Sequence, residues 1–239
     1  MLEDRDNMRR SPRFKLKWSA TVMIIALNIA VFVFQNLVDY RSDFSIYNNF
    51  ALSVDGLKHG HLWQLVTFQF LHLPLDQGGI FHLFGNLFVI WLFGVSLEQR
   101  IGRLKFIELY LLSGTVGGLL QMAGGLLSPE HFGNAVVGAS AGAFGIMAAF
   151  ATFFPGRNVH MFFLPFAIRA DFLMSFAVVA TLLGLFLPSG HMAHCAHLGG
   201  IFCGFIFARK LVRLDEQRPV AVIAAGNLLQ TAQRPNHFR

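Results

Sequence analysis

The chain has 239 residues, of which 54% are hydrophobic and 13% are charged, and its mean hydropathy is +0.54. This composition excludes an ordinary soluble domain and indicates a protein that crosses a membrane several times. The formal net charge of +6 could suggest a nucleic-acid partner, but the basic residues flank long apolar stretches, as membrane topology requires. We therefore expect the lipid bilayer, and no nucleic acid, as the surroundings of this chain.

Six apolar stretches are long enough, or nearly so, to cross a hydrocarbon core of about 30 Å as helices. In chain order they are Trp18–Leu37, Ile80–Leu97, Leu109–Leu127, Val136–Phe154, Phe172–Leu187 and Met192–Ala208. The sequence thus predicts an all-α polytopic membrane protein, with a bundle of six transmembrane helices in a membrane domain of residues 18–210. A basic tail of residues 1–17 precedes this domain, and residues 211–239 form a polar tail that we expect to be partly disordered.

Lys and Arg are distributed unevenly between the two sides that six crossings create. All of the 19 basic residues except Arg41 and Lys58 fall in the tails or in connections on the same side as the tails. The positive-inside rule therefore places both termini in the cytoplasm. The long first connection, Asp39–Gly79, and the turn at Pro188–Gly190 then face outward. Short tails without an organelle-targeting signal favour the cytoplasmic membrane of a prokaryote.

Four polar side chains are expected in the outer half of the bilayer, where such groups are costly and are functional candidates by default. His82 and Asn86 lie near the outer start of the second span, four residues apart and so on one face of a helix. Ser140 lies near the outer start of the fourth span. His197 lies about 10 Å below the outer start of the sixth.

His197 shares a helix face with Gly200 and Gly204, and glycines at this spacing let another helix approach closely. The natural partner is the segment rich in Gly and Ala around Ser140. A serine held beside an imidazole is a nucleophile with its general base. No carboxylate lies within any predicted span, so the chemistry would be that of a Ser-His dyad.

The start of the fourth helix also suits an oxyanion, because free N–H groups and the positive end of the helix dipole meet there. His82 and Asn86 could donate hydrogen bonds to the same oxyanion. Each of these two side chains could instead bond only a loop or a neighbouring helix, and Ser140 could be an ordinary small residue at a helix contact. For single residues, these structural alternatives stay open.

Three short motifs follow one another along the chain. They are His82-x-x-x-Asn86, Gly138-Ala139-Ser140-Ala141-Gly142, and Ala196-His197-Leu198-Gly199-Gly200 followed by Gly204. The segments 98–102 and 109–114 add to the pattern. Together these residues resemble the rhomboid family of intramembrane serine proteases, and the resemblance covers residues 18–210.

The resemblance implies a bundle of rhomboid type and a role for each candidate residue. Ser140 would be the nucleophile and His197 the general base. His82, Asn86 and the backbone N–H of Ser140 would form the oxyanion site. The implied activity is cleavage of transmembrane segments of other membrane proteins near the outer face, without a metal or a cofactor. The natural substrate and the oligomeric state stay open.

Two positions depart from the family's pattern. The residue after Ser140 is Ala141, where the family usually has glycine, and the first connection has Trp63-Gln64, where the family often has Trp-Arg. Ala141 is the one feature that favours an alternative function, a catalytically weak or inactive rhomboid-like protein that binds membrane proteins. The intact pair of Ser140 and His197 favours the protease.

A metal site is a further alternative. Three histidines at spacing i, i+3 and i+6, namely His191, His194 and His197, could bring two ligands to one face of the sixth span. The other spans offer no acidic or cysteine side chain that would complete a tetrahedral site. We therefore expect no metal, and we place His191 and His194 at the membrane interface near the mouth of the site.

Overall fold

The structure, a computed structural model, describes residues 19–41, 45–161, 164–186 and 193–232. Four features of the sequence predictions lie outside the described residues: the basic N-terminal tail, the turn at Pro188–Gly190, His191 and the last part of the C-terminal tail, residues 233–239. The six predicted spans are described over most of their length, and so are all four candidate site residues.

The described residues form helices, two pairs of short strands and two 3₁₀ turns. The long helices are α1 (Ala20–Arg41), α5 (Gly79–Ile101), α6 (Arg103–Leu127), α8 (Ser140–Phe153), α9 (Ala170–Gly184) and α10 (His194–Ala232). The short helices are α2 (Ile46–Phe50), α3 (Val54–Lys58), α4 (Gln64–Thr67) and α7 (Pro129–Phe132). The strands are β1 (Leu52–Ser53), β2 (Ala135–Val136), β3 (Asn158–His160) and β4 (Ala167–Arg169), and the 3₁₀ turns are Phe68–Phe70 and Leu75–Gln77.

Four of the long helices are long and apolar enough to cross a membrane, namely α1, α5, α6 and the first part of α10, His194–Gln217. Helices α8 and α9 are apolar but have only 14 and 15 residues. A polytopic helical membrane protein is thus confirmed, whereas six crossings and cytoplasmic termini stay predictions. Helix α10 continues to Ala232, well past the predicted end of the sixth span at Ala208.

Two predicted helix starts are wrong. Helix α8 begins at Ser140 rather than Val136, because Val136 belongs to β2 and Gly138 has a φ of +128°. Helix α6 begins at Arg103 rather than Leu109, because the charged residues before Leu109 continue the helix out of its apolar part. Hydropathy therefore shows where a segment becomes apolar, which differs from where its helix begins.

Helix α8 lies at the centre of the bundle, with α5, α6 and α10 packed around it. Its residues are almost all buried between Ala141 and Phe150. A Cβ added to Gly200 would lie 2.1 Å from the carbonyl oxygen of Ala141, and one added to Gly204 would lie 2.2 Å from that of Gly145. Helices α10 and α8 therefore touch through their backbones, as the spacing of the glycines predicts.

The first connection is a folded layer of short elements. Strand β1 pairs antiparallel with β2, which leads into the segment that carries Ser140. Gln64 is fully buried; its side chain accepts the N–H of Ser53 at 3.2 Å and donates to the carbonyl of Asn49 at 3.3 Å. A neutral amide therefore anchors this layer at the position where the resemblance led us to expect an arginine.

Glu98, near the end of α5, holds the start of α1. Its carboxylate accepts the hydroxyl groups of Ser19 at 2.6 Å and Thr21 at 2.8 Å. It also accepts the backbone N–H groups of Ala20 at 2.7 Å and Thr21 at 2.9 Å. Glu98 thus serves as a helix cap that comes from a distant part of the chain, and it fastens α1 to α5.

Loss of the Glu98 carboxylate should destabilise the bundle. We expect Glu98→Ala to lower the free energy of unfolding in detergent by about 2 kcal/mol, because two N–H groups and two hydroxyls lose a charged acceptor. The control is Glu108→Ala, which removes a partly exposed carboxylate paired with Lys105 at 2.6 Å and should cost at most about 1 kcal/mol. Equal stability of the two variants in thermal unfolding would contradict the capping role.

The contact between α10 and α8 leaves no room for a methyl group. We expect Gly204→Ala to cost about 1–3 kcal/mol of unfolding free energy, since the two helices must separate to admit the new side chain. The control is Gly85→Ala, where an added Cβ meets no atom within 4 Å and alanine favours the helix. If both variants unfold in detergent at the same temperature, the contact is looser than the structure describes.

Candidate active site

The structure brings Ser140 and His197 together. Ser140 is the first residue of α8 and is partly buried, and His197 lies in the first turn of α10 and is 8% exposed. Nε2 of His197 lies 2.9 Å from Oγ of Ser140, which is a hydrogen-bond distance. The two residues stand on different helices, so the backbone contact between α10 and α8 sets this distance.

His82 and Asn86 lie beside Gly138, which precedes Ser140 by two residues in the chain. A Cβ built on Gly138 would lie 3.0 Å from Nε2 of His82 and 3.7 Å from Nδ2 of Asn86. The φ of Gly138 is +128°, a conformation that side chains rarely adopt. Position 138 therefore requires glycine for two reasons, the lack of space for a side chain and the backbone conformation. All four candidate side chains lie around this short segment.

The partner of His82 fixes the position of its proton. The backbone N–H of Leu73 donates to Nδ1 at 3.3 Å, so in the neutral ring Nδ1 is the acceptor and Nε2 carries the proton. Nδ2 of Asn86 is buried and has no hydrogen-bond partner among the residues that the structure describes. Two side-chain N–H donors are therefore available next to Ser140.

Phe144 orients the imidazole of His197. It follows Ser140 by one helical turn, and its ring stacks on the imidazole with centroids 4.4 Å apart and an angle of 19° between the planes. The methyl group of Ala141 packs against α6, since a Cβ built on Gly117 would lie 2.7 Å from it. The alanine after the serine thus fits between helices and leaves the contact of Ser140 with His197 intact.

Gln121 is a buried amide that the sequence patterns did not single out. Its side-chain oxygen accepts the N–H of Ala196 at 3.2 Å, and its NH₂ group donates to the carbonyl of Phe132 at 2.6 Å. It therefore holds the first turn of α10, next to His197, against the end of α7. The signal that could have found Gln121 is an uncharged polar side chain within an apolar span.

Gln35 is a second such amide, and it acts on the other side of the site. It donates to the carbonyl of His72 at 2.7 Å and accepts the N–H of the same residue at 3.1 Å. Burial, and next the neighbouring His82, lower the pKa of His72 to about 3, so its ring is neutral at pH 7. Gln35 thus fixes the backbone beside Leu73, whose N–H sets the tautomer of His82.

His194 lies beside His197, with ring centroids 6.1 Å apart and the planes nearly perpendicular. It packs against Gly184 of α9, where an added Cβ would overlap its ring. The described part of the chain contains no group of three side chains able to hold a metal. Since His191 lies outside that part, the third histidine of the alternative metal site is untested.

This arrangement can support acyl transfer. An imidazole at hydrogen-bond distance can take the proton of a serine hydroxyl, and N–H donors beside it can bind the negative charge that forms on an attacked carbonyl oxygen. His197 makes no hydrogen bond to a carboxylate within the described residues. The candidate pair that the described residues form therefore consists of Ser140 and His197.

The sequence of this chain matches known proteins over more than half of its length. The family model of the Rhomboid domain matches residues 59–214. Rhomboid protein 1, mitochondrial, of Saccharomyces cerevisiae is 31% identical over 150 residues, which are 61% of this chain and 42% of that protein. Rhomboid-like protease 1 of Toxoplasma gondii is 31% identical over 170 residues, which are 69% of this chain and 52% of that protein.

A bacterial relative matches over nearly its full length. The rhomboid protein YdcA of Bacillus subtilis is 26% identical over 206 residues, which are 84% of this chain and 92% of that protein. By contrast, the matches span only about half of the yeast and Toxoplasma proteins. The family model covers well over half of the chain and includes all four candidate residues, His82, Asn86, Ser140 and His197. The chain therefore belongs to the rhomboid family of polytopic membrane proteins.

Proposed function

We propose that this protein is an intramembrane serine endopeptidase, which cleaves transmembrane segments of other membrane proteins near the outer face by a Ser-His dyad. The observation that carries the proposal is the 2.9 Å distance between Nε2 of His197 and Oγ of Ser140. Family membership supports it, and the Toxoplasma relative is named a protease. The proposed reaction uses neither a metal nor a cofactor.

In this reaction, Nε2 of His197 takes the proton of Ser140 as Oγ attacks the carbonyl carbon of the scissile peptide bond. The carbonyl oxygen becomes an oxyanion, to which Asn86 Nδ2, His82 Nε2 and the backbone N–H of Ser140 donate hydrogen bonds. His197 then gives its proton to the leaving amine. Water, activated by the same imidazole, hydrolyses the acyl-enzyme and frees Ser140.

The length of α8 supports a reaction below the outer membrane surface. Its 14 residues span about 20 Å, whereas the hydrocarbon core is about 30 Å thick. In the proposed orientation Arg157, which stacks on Phe154 at 4.9 Å, anchors the end of α8 at the cytoplasmic interface. Ser140 then lies about 10 Å below the outer surface of the core, where a transmembrane segment can reach it.

The same orientation has six crossings, of which α8 and α9 are the short ones, and both termini in the cytoplasm. Residues 18–210 form the membrane domain, and the polar tail follows. The distribution of the 19 basic residues supports this topology. The Bacillus relative favours the cytoplasmic membrane of a prokaryote, while other matching relatives are named mitochondrial.

Covalent labelling by a fluorophosphonate tests the dyad directly. We expect the full chain in detergent to be labelled, and Ser140→Ala and His197→Ala to lose labelling, because the probe needs an activated serine. Ser175→Ala is the control, since this exposed hydroxyl donates to the carbonyl of Asp171 and lies outside the site. It should label like the wild type.

The same experiment decides between the protease and the catalytically weak or inactive membrane-protein binding alternative. Wild-type protein that is folded by circular dichroism but not labelled would exclude an activated Ser140 and favour the binding protein. Retained labelling in a folded Ser140→Ala variant would show that another nucleophile reacts.

The oxyanion role of Asn86 has its own test. We expect Asn86→Leu, which removes the donor at similar size, to slow labelling by about 10²-fold, because the phosphoryl oxygen of the adduct occupies the place of the oxyanion. Asn48→Leu, on the exposed side of α2, should label at the wild-type rate. A rate unchanged in a folded Asn86→Leu variant would remove Asn86 from the oxyanion site.

A further inference from the structure

The end of the bundle away from Ser140 carries a collar of cations stacked on aromatic rings. The pairs are Arg100 on Phe153, Lys105 on Phe207, Arg157 on Phe154 and Arg209 on Phe205, with the cation between 4.9 and 5.9 Å from the ring centroid. These residues lie at the end of α5, the start of α6, the end of α8 and the middle of α10. The collar is therefore about 20 Å from the start of α8.

Helix α10 has an open groove at this collar, and the two halves of the groove differ in chemistry. Phe205 and Ile206 line the half nearer the apolar bundle and are 46% and 50% exposed. Arg209, Lys210 and Arg213 line the other half, together with Leu214 and Gln217, and the open groove has a volume of about 460 Å³. We call Phe205, Ile206, Arg209, Lys210 and Arg213 the basic groove. An apolar surface that continues into three cations is complementary to an amphiphilic molecule.

Among the described residues, Arg209, Lys210 and Arg213 form no ion pair within 4 Å. Asp215, the nearest acidic residue along the chain, pairs with Arg100 at 2.8 Å, and Glu216 does not line the groove. Arg209 lies over the ring of Phe205, which places its guanidinium at the boundary between the apolar and the basic half. In the proposed orientation, three positive charges thus face the region where lipid headgroups meet water.

We propose that the basic groove binds the headgroup of an anionic phospholipid, with an acyl chain along Phe205 and Ile206. Clusters of Lys and Arg at the membrane end of a helix attract anionic lipids, and each cation strengthens binding by about fivefold. The apolar half distinguishes a lipid from a soluble phosphate, and the cations distinguish an anionic from a zwitterionic headgroup. Basic residues that only set the orientation of the helices in the membrane would not need to line a common groove.

Lipid binding to the full chain in an uncharged detergent tests the proposal. Phosphatidylglycerol and phosphatidylcholine with the same acyl chains are titrated, and bound lipid is counted by native mass spectrometry. We expect one phosphatidylglycerol to remain bound, with an affinity at least about tenfold above that of phosphatidylcholine. Equal binding of the two lipids would overturn the proposal.

The decisive variant is Lys210→Gln/Arg213→Gln, which keeps Arg209 stacked on Phe205. We expect it to weaken phosphatidylglycerol binding by about tenfold or more. The matched control, Arg9→Gln/Arg10→Gln, removes the same charge from the basic N-terminal tail and should bind like the wild type. Equal losses in the two variants would mean attraction by net charge alone and would refute the groove.

Two further measurements test whether the ligand is a soluble anion and provide a second variant in case the first does not fold. Millimolar inorganic phosphate should fail to displace phosphatidylglycerol, and full displacement would identify a soluble anion as the ligand and overturn the lipid. If the double variant does not fold by circular dichroism, Arg213→Gln alone carries the test. An affinity loss of about fivefold in this variant is expected, and a wild-type affinity would refute the proposal.

Discussion

The close approach of α10 to α8 is the constraint on which the candidate site depends. Ser140 has a short side chain, so its hydroxyl reaches the imidazole of His197 only if the two helix backbones are in contact. Gly200 and Gly204 remove the side chains that would hold α10 away, whereas Gly145 on α8 mainly makes room for Ser113 of α6. In lipid, such contacts between small residues also hold helices together. The same few positions therefore provide both the stability of the bundle and the geometry of the proposed dyad.

The oxyanion side of the site depends on the first connection more than on the long helices. The N–H of Gly138 donates to the carbonyl of Phe68 at 2.9 Å, and β1 pairs with β2 just before that turn. From the same layer, the N–H of Leu73 fixes the tautomer of His82. The layer thus positions the backbone just before Ser140 and the ring of His82. Its many short elements position backbone groups that a plain loop would leave mobile.

The sequence predicted which residues meet better than where their helices begin. The face shared by His197 and Gly200 follows from the helical repeat, so its contact with the segment around Ser140 could be inferred from residue types and spacing. The start of α8 could not, because it depends on strand pairing with a distant segment and on the φ of Gly138. The role of Phe144 could not be predicted either, because phenylalanine is common in apolar spans and the residue type alone does not indicate stacking on an imidazole.

The proposed dyad of Ser140 and His197 needs another way to orient its imidazole, because in a triad the carboxylate holds the ring. Phe144 helps to orient His197 by stacking on its ring. Gln121 helps by accepting the N–H of Ala196 at the start of α10. The first contact fixes the plane of the ring and the second fixes the helix that carries it. A carboxylate at this depth would add an expensive buried charge. Apolar stacking and a neutral amide hold the ring of His197 and the start of α10 without that cost.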